Sequence, residues 1–130
     1  MGTKSKVLIV DDDPAFTKLV GHYLREAGYE VAVAADGMQG LMFAKRDHPD
    51  LVLVDLQMPA GGGMQLLDRL HTNRATETIP KVIVTASRDQ SLEAKARDHG
   101  AAGFLHKPVD QATLLAAVHA ALPEPETDEE

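Results

Sequence analysis

The chain has 130 residues, no cysteine and a formal net charge of −7 at pH 7. This length predicts one domain, and the absence of cysteine excludes a disulfide framework or a cysteine-based metal site. The first apolar run, Val7 to Val10, is too short for a signal peptide or a membrane span, so we expect a soluble, cytoplasmic protein.

In chain order, the predicted elements are a strand at 6–10, a helix ending at Gly28, a strand at 30–34, a helix at 38–47, a strand at 51–54, a helix at about 64–73, a strand at 81–85, a helix at about 89–99, a strand at 103–106 and a helix from about 111. The runs KVLIV, LVLV and KVIVT are almost continuously apolar, as strands covered on both faces are, whereas EVAVA and GFLH predict edge strands. Five strand–helix repeats predict a doubly wound α/β fold with a five-stranded parallel sheet.

Two predicted helices have few large apolar side chains. In the second helix, Met38, Leu41 and Met42 form the apolar stripe that we expect to face the sheet. The fourth helix, DQSLEAKARDH, offers only Leu92 as a large apolar side chain. Because little area is available to hold it in place, we expect the fourth helix to be the least firmly docked.

The negative charge is concentrated at the C-terminal end. The last eight residues, PEPETDEE, contain five acidic residues and no basic ones, whereas the preceding 122 carry 15 acidic side chains against 13 from lysine and arginine. We expect residues 1–122 to form the domain, and residues 123–130 to be a disordered acidic tail or a truncated linker to an output domain. The sequence contains no basic stripe, so we do not expect the protein to bind nucleic acid.

Polar side chains follow several of the predicted strands. Asp11, Asp12 and Asp13 follow the first strand and Asp55 the third, Thr85 ends the fourth, and Lys107 follows the fifth. Because the carboxyl ends of parallel strands meet at one edge of a sheet, we expect a ligand site there.

The three consecutive aspartates have different interpretations. Asp13 precedes Pro14, a pairing typical of an N-cap and the first helical position. Asp11, Asp12 and Asp55 have no such structural role, and two of their charges about 4 Å apart repel by roughly 4 kcal/mol at an effective dielectric constant near 20. A hard divalent cation such as Mg²⁺ removes that repulsion. The alternative, one carboxylate paired with Lys107, explains only one of the three acids.

Four motifs together resemble a response-regulator receiver domain of two-component signalling. They are VDDD at 10–13, VDLQMP at 54–59, VTA at 84–86 and FLHKP at 104–108, and the likeness extends from residue 6 to about 122. The resemblance implies a flavodoxin-like fold with strand order 2-1-3-4-5. It also implies a signalling role, with the chain acting as a phosphoacceptor that assists its own phosphorylation and dephosphorylation and not as an enzyme.

The resemblance implies roles for the residues at the strand ends. Asp55 would accept a phosphoryl group from a sensor histidine kinase or a histidine phosphotransfer protein. Asp11, Asp12, Asp55 and the backbone carbonyl of Gln57 would hold Mg²⁺.

Further roles concern the fourth and fifth strands. Thr85 and Lys107 would contact the phosphoryl oxygens, Thr85 and Phe104 would form the switch, and the Lys107–Pro108 peptide bond would be cis. Output would be by protein–protein contact through the fourth helix, fifth strand and fifth helix. The chain departs from the family at AGGG, residues 60–63, where Gly63 matches and Gly61 and Gly62 do not.

Several functions compete with a stand-alone receiver. The chain is alternatively a receiver module from a larger kinase or regulator. A phosphatase of the haloacid-dehalogenase type is less favoured. Those enzymes have an acidic residue two positions after the nucleophilic aspartate, whereas this chain has Gln57 there. A flavodoxin-like FMN carrier is disfavoured, because its first loop is rich in glycine and hydroxyl groups, whereas this one is acidic.

Overall fold

The computed structural model describes residues 4–58 and 62–122 of the chain. The predicted tail at 123–130 and residues 59–61 of the glycine-rich loop lie outside the described residues. Within the described ranges, no helix is long and apolar enough to cross a membrane.

Within these described ranges, five strands alternate with five helices. They are β1 (Lys6–Val10), α1 (Pro14–Glu26), β2 (Glu30–Ala34), α2 (Gly37–Asp47), β3 (Leu51–Val54), α3 (Gly62–Thr72), β4 (Lys81–Thr85), α4 (Ser91–Asp98), β5 (Ala101–His106) and α5 (Gln111–Ala121). All strand pairs are parallel, in the order β2-β1-β3-β4-β5. This confirms the doubly wound fold and the strand order.

Alternate residues of the central strands pack into two separate cores, one on each face of the sheet. Leu8 and Val10 of β1 face the core under α2, α3 and α4, whereas Val7 and Ile9 face the core under α1 and α5. Every residue of β3 and β4 is buried, whereas β2 and β5 contain exposed positions, as predicted for edge strands.

Aspartate side chains begin three of the helices. Asp13 accepts hydrogen bonds from the backbone N–H groups of Ala15 (3.0 Å) and Phe16 (3.4 Å), with Pro14 at the first helical position, which confirms its predicted N-cap role. Asp36 and Asp110 cap α2 and α5 in the same way. Gly28 follows α1 with a φ of +97°, a conformation that glycine adopts without the steric cost of a Cβ.

The predicted apolar stripe of α2 is wrong in part. Met38 is 82% exposed and Met42 52% exposed, whereas Gly40 and Ala44 are buried and Leu41 packs partly on the core. A Cβ at Gly40 would lie 2.9 Å from a methyl group of Val10, so the helix approaches β1 on its smallest residues. The two methionines therefore point outward because close backbone approach decides which side of α2 faces the sheet.

Few side chains anchor α4. Ala96 is its one fully buried residue and Leu92 is half-buried. Gln90 occupies the N-cap position without a side-chain hydrogen bond to the helix. The predicted shortage of buried anchors in α4 is confirmed.

Candidate functional site

Four sequence-distant segments converge at the carboxyl edge of the sheet. The Asp55 backbone N–H donates to the Val10 carbonyl (3.0 Å), which continues the pairing of β1 and β3 beyond their last residues. The Lys107 N–H donates to the Thr85 carbonyl (2.8 Å) and does the same for β4 and β5. The first bond holds Asp55 next to the end of β1, where Asp11 follows, and the second holds Lys107 next to Thr85.

Asp11, Asp12 and Asp55 form one carboxylate cluster. Each offers an oxygen, and the three oxygens lie within 4.8 Å of one another. Asp11 is 2% exposed and Asp55 5% exposed, whereas Asp12 is exposed to solvent. Burial is the main cause that raises the pKa of the Asp11 carboxyl above its ordinary value, although the hydrogen bond from Lys107 opposes it.

The two buried carboxylates are fixed in similar ways. Asp11 Oδ1 accepts from the Asp13 N–H (2.9 Å), and Asp55 Oδ1 accepts from the Gln57 N–H (3.0 Å). The Lys107 ammonium donates to Asp11 Oδ2 at 2.8 Å and lies 3.6 Å from Asp55 Oδ2. One ammonium therefore lies between two buried carboxylates, and the negative charge of the cluster still exceeds the positive charge that Lys107 supplies.

The remaining negative charge and the oxygen donors suit a hard divalent cation. Ligand oxygens about 2.1 Å from Mg²⁺ lie at most about 4.2 Å apart. The three oxygens lie within 4.8 Å of one another, which is close to this spacing. The Asp12 side chain is exposed and has room to adjust its position. The cluster therefore fits Mg²⁺.

Thr85 and Phe104 lie on neighbouring strands. Thr85 is fully buried, and its Oγ1 accepts from the Ser87 N–H at 3.2 Å. Phe104 pairs with Ile83, two residues before Thr85, and packs partly on the core under α2, α3 and α4. Its ring meets that of His106 edge-on, with 5.4 Å between the centroids.

The metal-ligand role of Gln57 stays a prediction. Its side chain is exposed, and its N–H orients Asp55.

Gly63 allows a close approach between α3 and the backbone of Asp55: a Cβ there would collide with the Asp55 carbonyl oxygen and with Cα of Leu56. The glycine that matches the family pattern therefore lets the start of α3 lie directly against the backbone of Asp55.

Two contacts of Lys107 were missed by sequence reasoning. Its Nζ lies 4.2 Å from the centroid of the Phe16 ring, and its carbonyl accepts from Arg88 at 3.4 Å. The Lys107–Pro108 bond is cis, as the resemblance implied. A signal for Phe16 was available, because the third residue after the Asp13 N-cap lies in the first turn of α1, beside the acidic loop.

Comparison with known proteins gives one family. Residues 7–119 match the sequence model of the response regulator receiver domain. Protein PilH of Pseudomonas aeruginosa is 35% identical over 118 residues, which cover 91% of this chain and 98% of PilH. The DNA-binding dual master transcriptional regulator RpaA of Synechocystis sp. is 38% identical over 117 residues, 90% of this chain and 48% of RpaA.

Solved structures agree with these matches. The chemotaxis protein CheY4 of Vibrio cholerae superimposes with a TM-score of 0.87 at 31% identity, over 92% of this chain and 100% of the CheY4 chain. Among the sequence relatives, the chain spans nearly all of PilH, about half of RpaA and 25% of the response regulator PleD of Caulobacter vibrioides.

Proposed function

Because the chain belongs to the response-regulator receiver family, whose sequence model matches residues 7–119, we propose that it is a phosphorylation-dependent signalling switch with Asp55 as its phosphoacceptor. The donor is a phosphohistidine on a sensor histidine kinase or a histidine phosphotransfer protein, and output is by contact with another protein. A receiver module of a larger regulator is the alternative, favoured by the 48% coverage of RpaA. The cytoplasmic location stays a prediction.

The environment of its two oxygens supports Asp55 as the nucleophile. Oδ1 is held by the Gln57 N–H, whereas Oδ2 lies 3.6 Å from the Lys107 ammonium, beyond the range of a hydrogen bond. The corresponding oxygen of Asp11 accepts from the same ammonium at 2.8 Å. Asp55 therefore keeps an oriented oxygen with free lone pairs, whereas Asp11 has none that is equally free.

The reaction follows from this geometry. The free oxygen of Asp55 attacks phosphorus, an oxygen–phosphorus bond forms, and the phosphorus–nitrogen bond to the donor imidazole breaks, with its electron pair going to the imidazole. Such transfers depend on positioning and charge neutralisation more than on acid–base steps. Lys107 supplies one positive charge. Mg²⁺, held by Asp11, Asp12, Asp55 and the Gln57 carbonyl, would supply further neutralisation when bound.

We further propose that Thr85 and Phe104 transmit the phosphorylated state. The Thr85 hydroxyl is available to donate to a phosphoryl oxygen, and Phe104 lies on the adjoining strand on the same side as Ile83 and Thr85. The surface of α4, β5 and α5 is then the output face. The weak anchoring of α4, with Ala96 its one fully buried residue, supports this proposal because a small displacement at Thr85 meets little resistance there.

Mass spectrometry after incubation with acetyl phosphate and Mg²⁺ tests the acceptor. We expect one added phosphoryl group in the wild type and none in Asp55→Asn. Asp13→Asn is the matched control, since asparagine also caps helices well and Asp13 caps α1; it should be labelled like the wild type. Stoichiometric labelling of Asp55→Asn would show that the acceptor lies elsewhere.

Hydrogen exchange with and without phosphorylation tests the output face. We expect exchange to change between residues 86 and 106 as well as near Asp55. Changes confined to the loops around Asp55 would contradict the proposed switch.

A further inference from the structure

We propose that Phe16 is a positioning residue for Lys107, whose ring holds the ammonium between the two buried carboxylates. The inference rests on the proposed function, because it assigns Phe16 a part in the phosphorylation of Asp55. Lys107 Nζ lies 4.2 Å from the ring centroid, within the range of about 6 Å at which a cation is attracted to an aromatic face.

Three groups surround the ammonium, and one of them accepts a hydrogen bond from it. Asp11 accepts one at 2.8 Å, Asp55 lies at 3.6 Å, and the face of Phe16 covers a further side. The Lys107 side chain is 17% exposed, so the attraction to the ring is little weakened by water. Phe16 therefore limits the directions in which the ammonium can move.

The ring is held by the same loop that orients the carboxylate. The Asp13 N–H donates to Asp11, and the Asp13 carboxylate accepts from the Phe16 N–H at 3.4 Å. The ring is half-buried and packs against the core under α1 and α5. Asp11, Asp13 and Phe16 are thus fixed relative to one another, and the position of the ring sets that of the ammonium.

An aromatic ring is suited to this task because it attracts the ammonium without accepting a strong hydrogen bond. A carboxylate in its place would compete with an incoming phosphoryl oxygen for Lys107. With leucine at position 16 the ammonium loses this attraction and has greater freedom to turn towards solvent. The transition state for phosphorylation then loses part of the charge that neutralises it.

Phe43 provides a matched control. The Arg46 guanidinium lies 4.7 Å from its ring centroid, so this is a second cation over a phenylalanine ring. Arg46 is exposed and bound to Asp47 through two hydrogen bonds, on α2 and not in the site. Phe43→Leu removes the same kind of contact, as Phe16→Leu does.

The experiment measures the rate of phosphorylation by acetyl phosphate at saturating Mg²⁺. We expect Phe16→Leu to slow it about three- to tenfold, and Phe16→Tyr to stay within about twofold of the wild type because it keeps the ring face. Phe43→Leu should leave the rate unchanged. In a Lys107→Ala background, Phe16→Leu should cause no further slowing, and an additive loss would overturn the proposal.

A second measurement does not depend on phosphorylation. In the wild type the ε-methylene protons of Lys107 should show ring-current-shifted NMR signals, which return to ordinary positions in Phe16→Leu but not in Phe43→Leu. If Phe16→Leu does not fold, Phe16→Met takes its place with the same expectations. Unchanged rate and signals in the Phe16 variant, with labelling still abolished by Asp55→Asn, would overturn this inference alone; labelling of Asp55→Asn would overturn the proposed function instead.

Discussion

Helices α3 and α4 cover the same face of the sheet but are held very differently. Leu66, Leu67 and Leu70 of α3 are buried, whereas α4 buries only Ala96 fully. A fully buried leucine contributes about 1.5–3 kcal/mol relative to an exposed one, so the gross stabilisation of α3 is several-fold larger. α3 follows the strand that ends at Asp55, and α4 follows the strand that ends at Thr85.

The first turn of α3 is also held more tightly than the first turn of α4. Gly63 at the start of α3 lies against the Asp55 backbone without room for a side chain, whereas Gln90 at the start of α4 makes no capping bond. The difference teaches that the proposed acceptor is held on the well-packed side of the site. The hydroxyl that would report its state ends the strand before α4, which has one fully buried residue.

The largest expected effect tests the core beneath the two helices. Leu67→Ala in α3 should lower the free energy of unfolding by about 2–5 kcal/mol, because Leu67 is completely buried. Leu92→Ala in α4 should cost less than about half as much, since Leu92 is half-buried. Urea unfolding of both variants measures the difference, and equal losses would refute the contrast.

Mg²⁺ should stabilise the site around Asp55 and not α4, because none of its proposed ligands lies on α4. At a hundred times its dissociation constant, Mg²⁺ should raise the free energy of unfolding by about 2.7 kcal/mol. Thermal melting with and without Mg²⁺ should show this shift in the wild type and in Asp13→Asn, and a smaller one in Asp12→Ala. A full shift in Asp12→Ala would indicate that Mg²⁺ binds outside the carboxylate cluster.

A backbone substitution tests the start of α3. Gly63→Ala should cost about 1–3 kcal/mol, because its Cβ would collide with Asp55 and Leu56. Gly62→Ala, one residue earlier, is the matched control: its Cβ would meet nothing closer than 3.8 Å, so it should be neutral or slightly stabilising. Chemical unfolding measures both, and a harmless Gly63→Ala would show that the helix start is not tightly placed.

The smallest expected effects are slopes with pH in metal-free protein. The pKa of Asp11 is raised by burial, so above its ordinary value of 3.8 the native state binds more protons than the unfolded state. Its contribution therefore makes stability fall as pH rises through that window. Hydrogen bonds from Ser91 lower the pKa of Asp89, before α4, so its contribution is lost as pH falls through the lowered value. Asp11→Asn and Asp89→Asn should change the stability–pH slope in opposite directions, measured by urea unfolding in EDTA.

Much of the fold and the site was predictable because it depends on local patterns. Continuous apolar runs identified β1, β3 and β4. Because the carboxyl ends of parallel strands meet at one edge of the sheet, Asp11, Asp55 and Lys107 could be predicted to lie close together. The outward direction of Met38 was not predictable, because it depends on how closely Gly40 approaches Val10 across the sheet. The contact of Phe16 with Lys107 was predictable only in part: the Asp13 N-cap places Phe16 beside the acidic loop, but the lysine comes from a distant segment.

The ion pair between Lys107 and Asp11 joins residues 96 positions apart. A ribosome therefore releases the acidic loop of β1 long before it adds the lysine that partly neutralises it. Any chain that ends before residue 107 leaves Asp11 without this cation at the site. Completion of the site is thereby tied to completion of the domain, so an unfinished or truncated product lacks a full set of groups for accepting a signal.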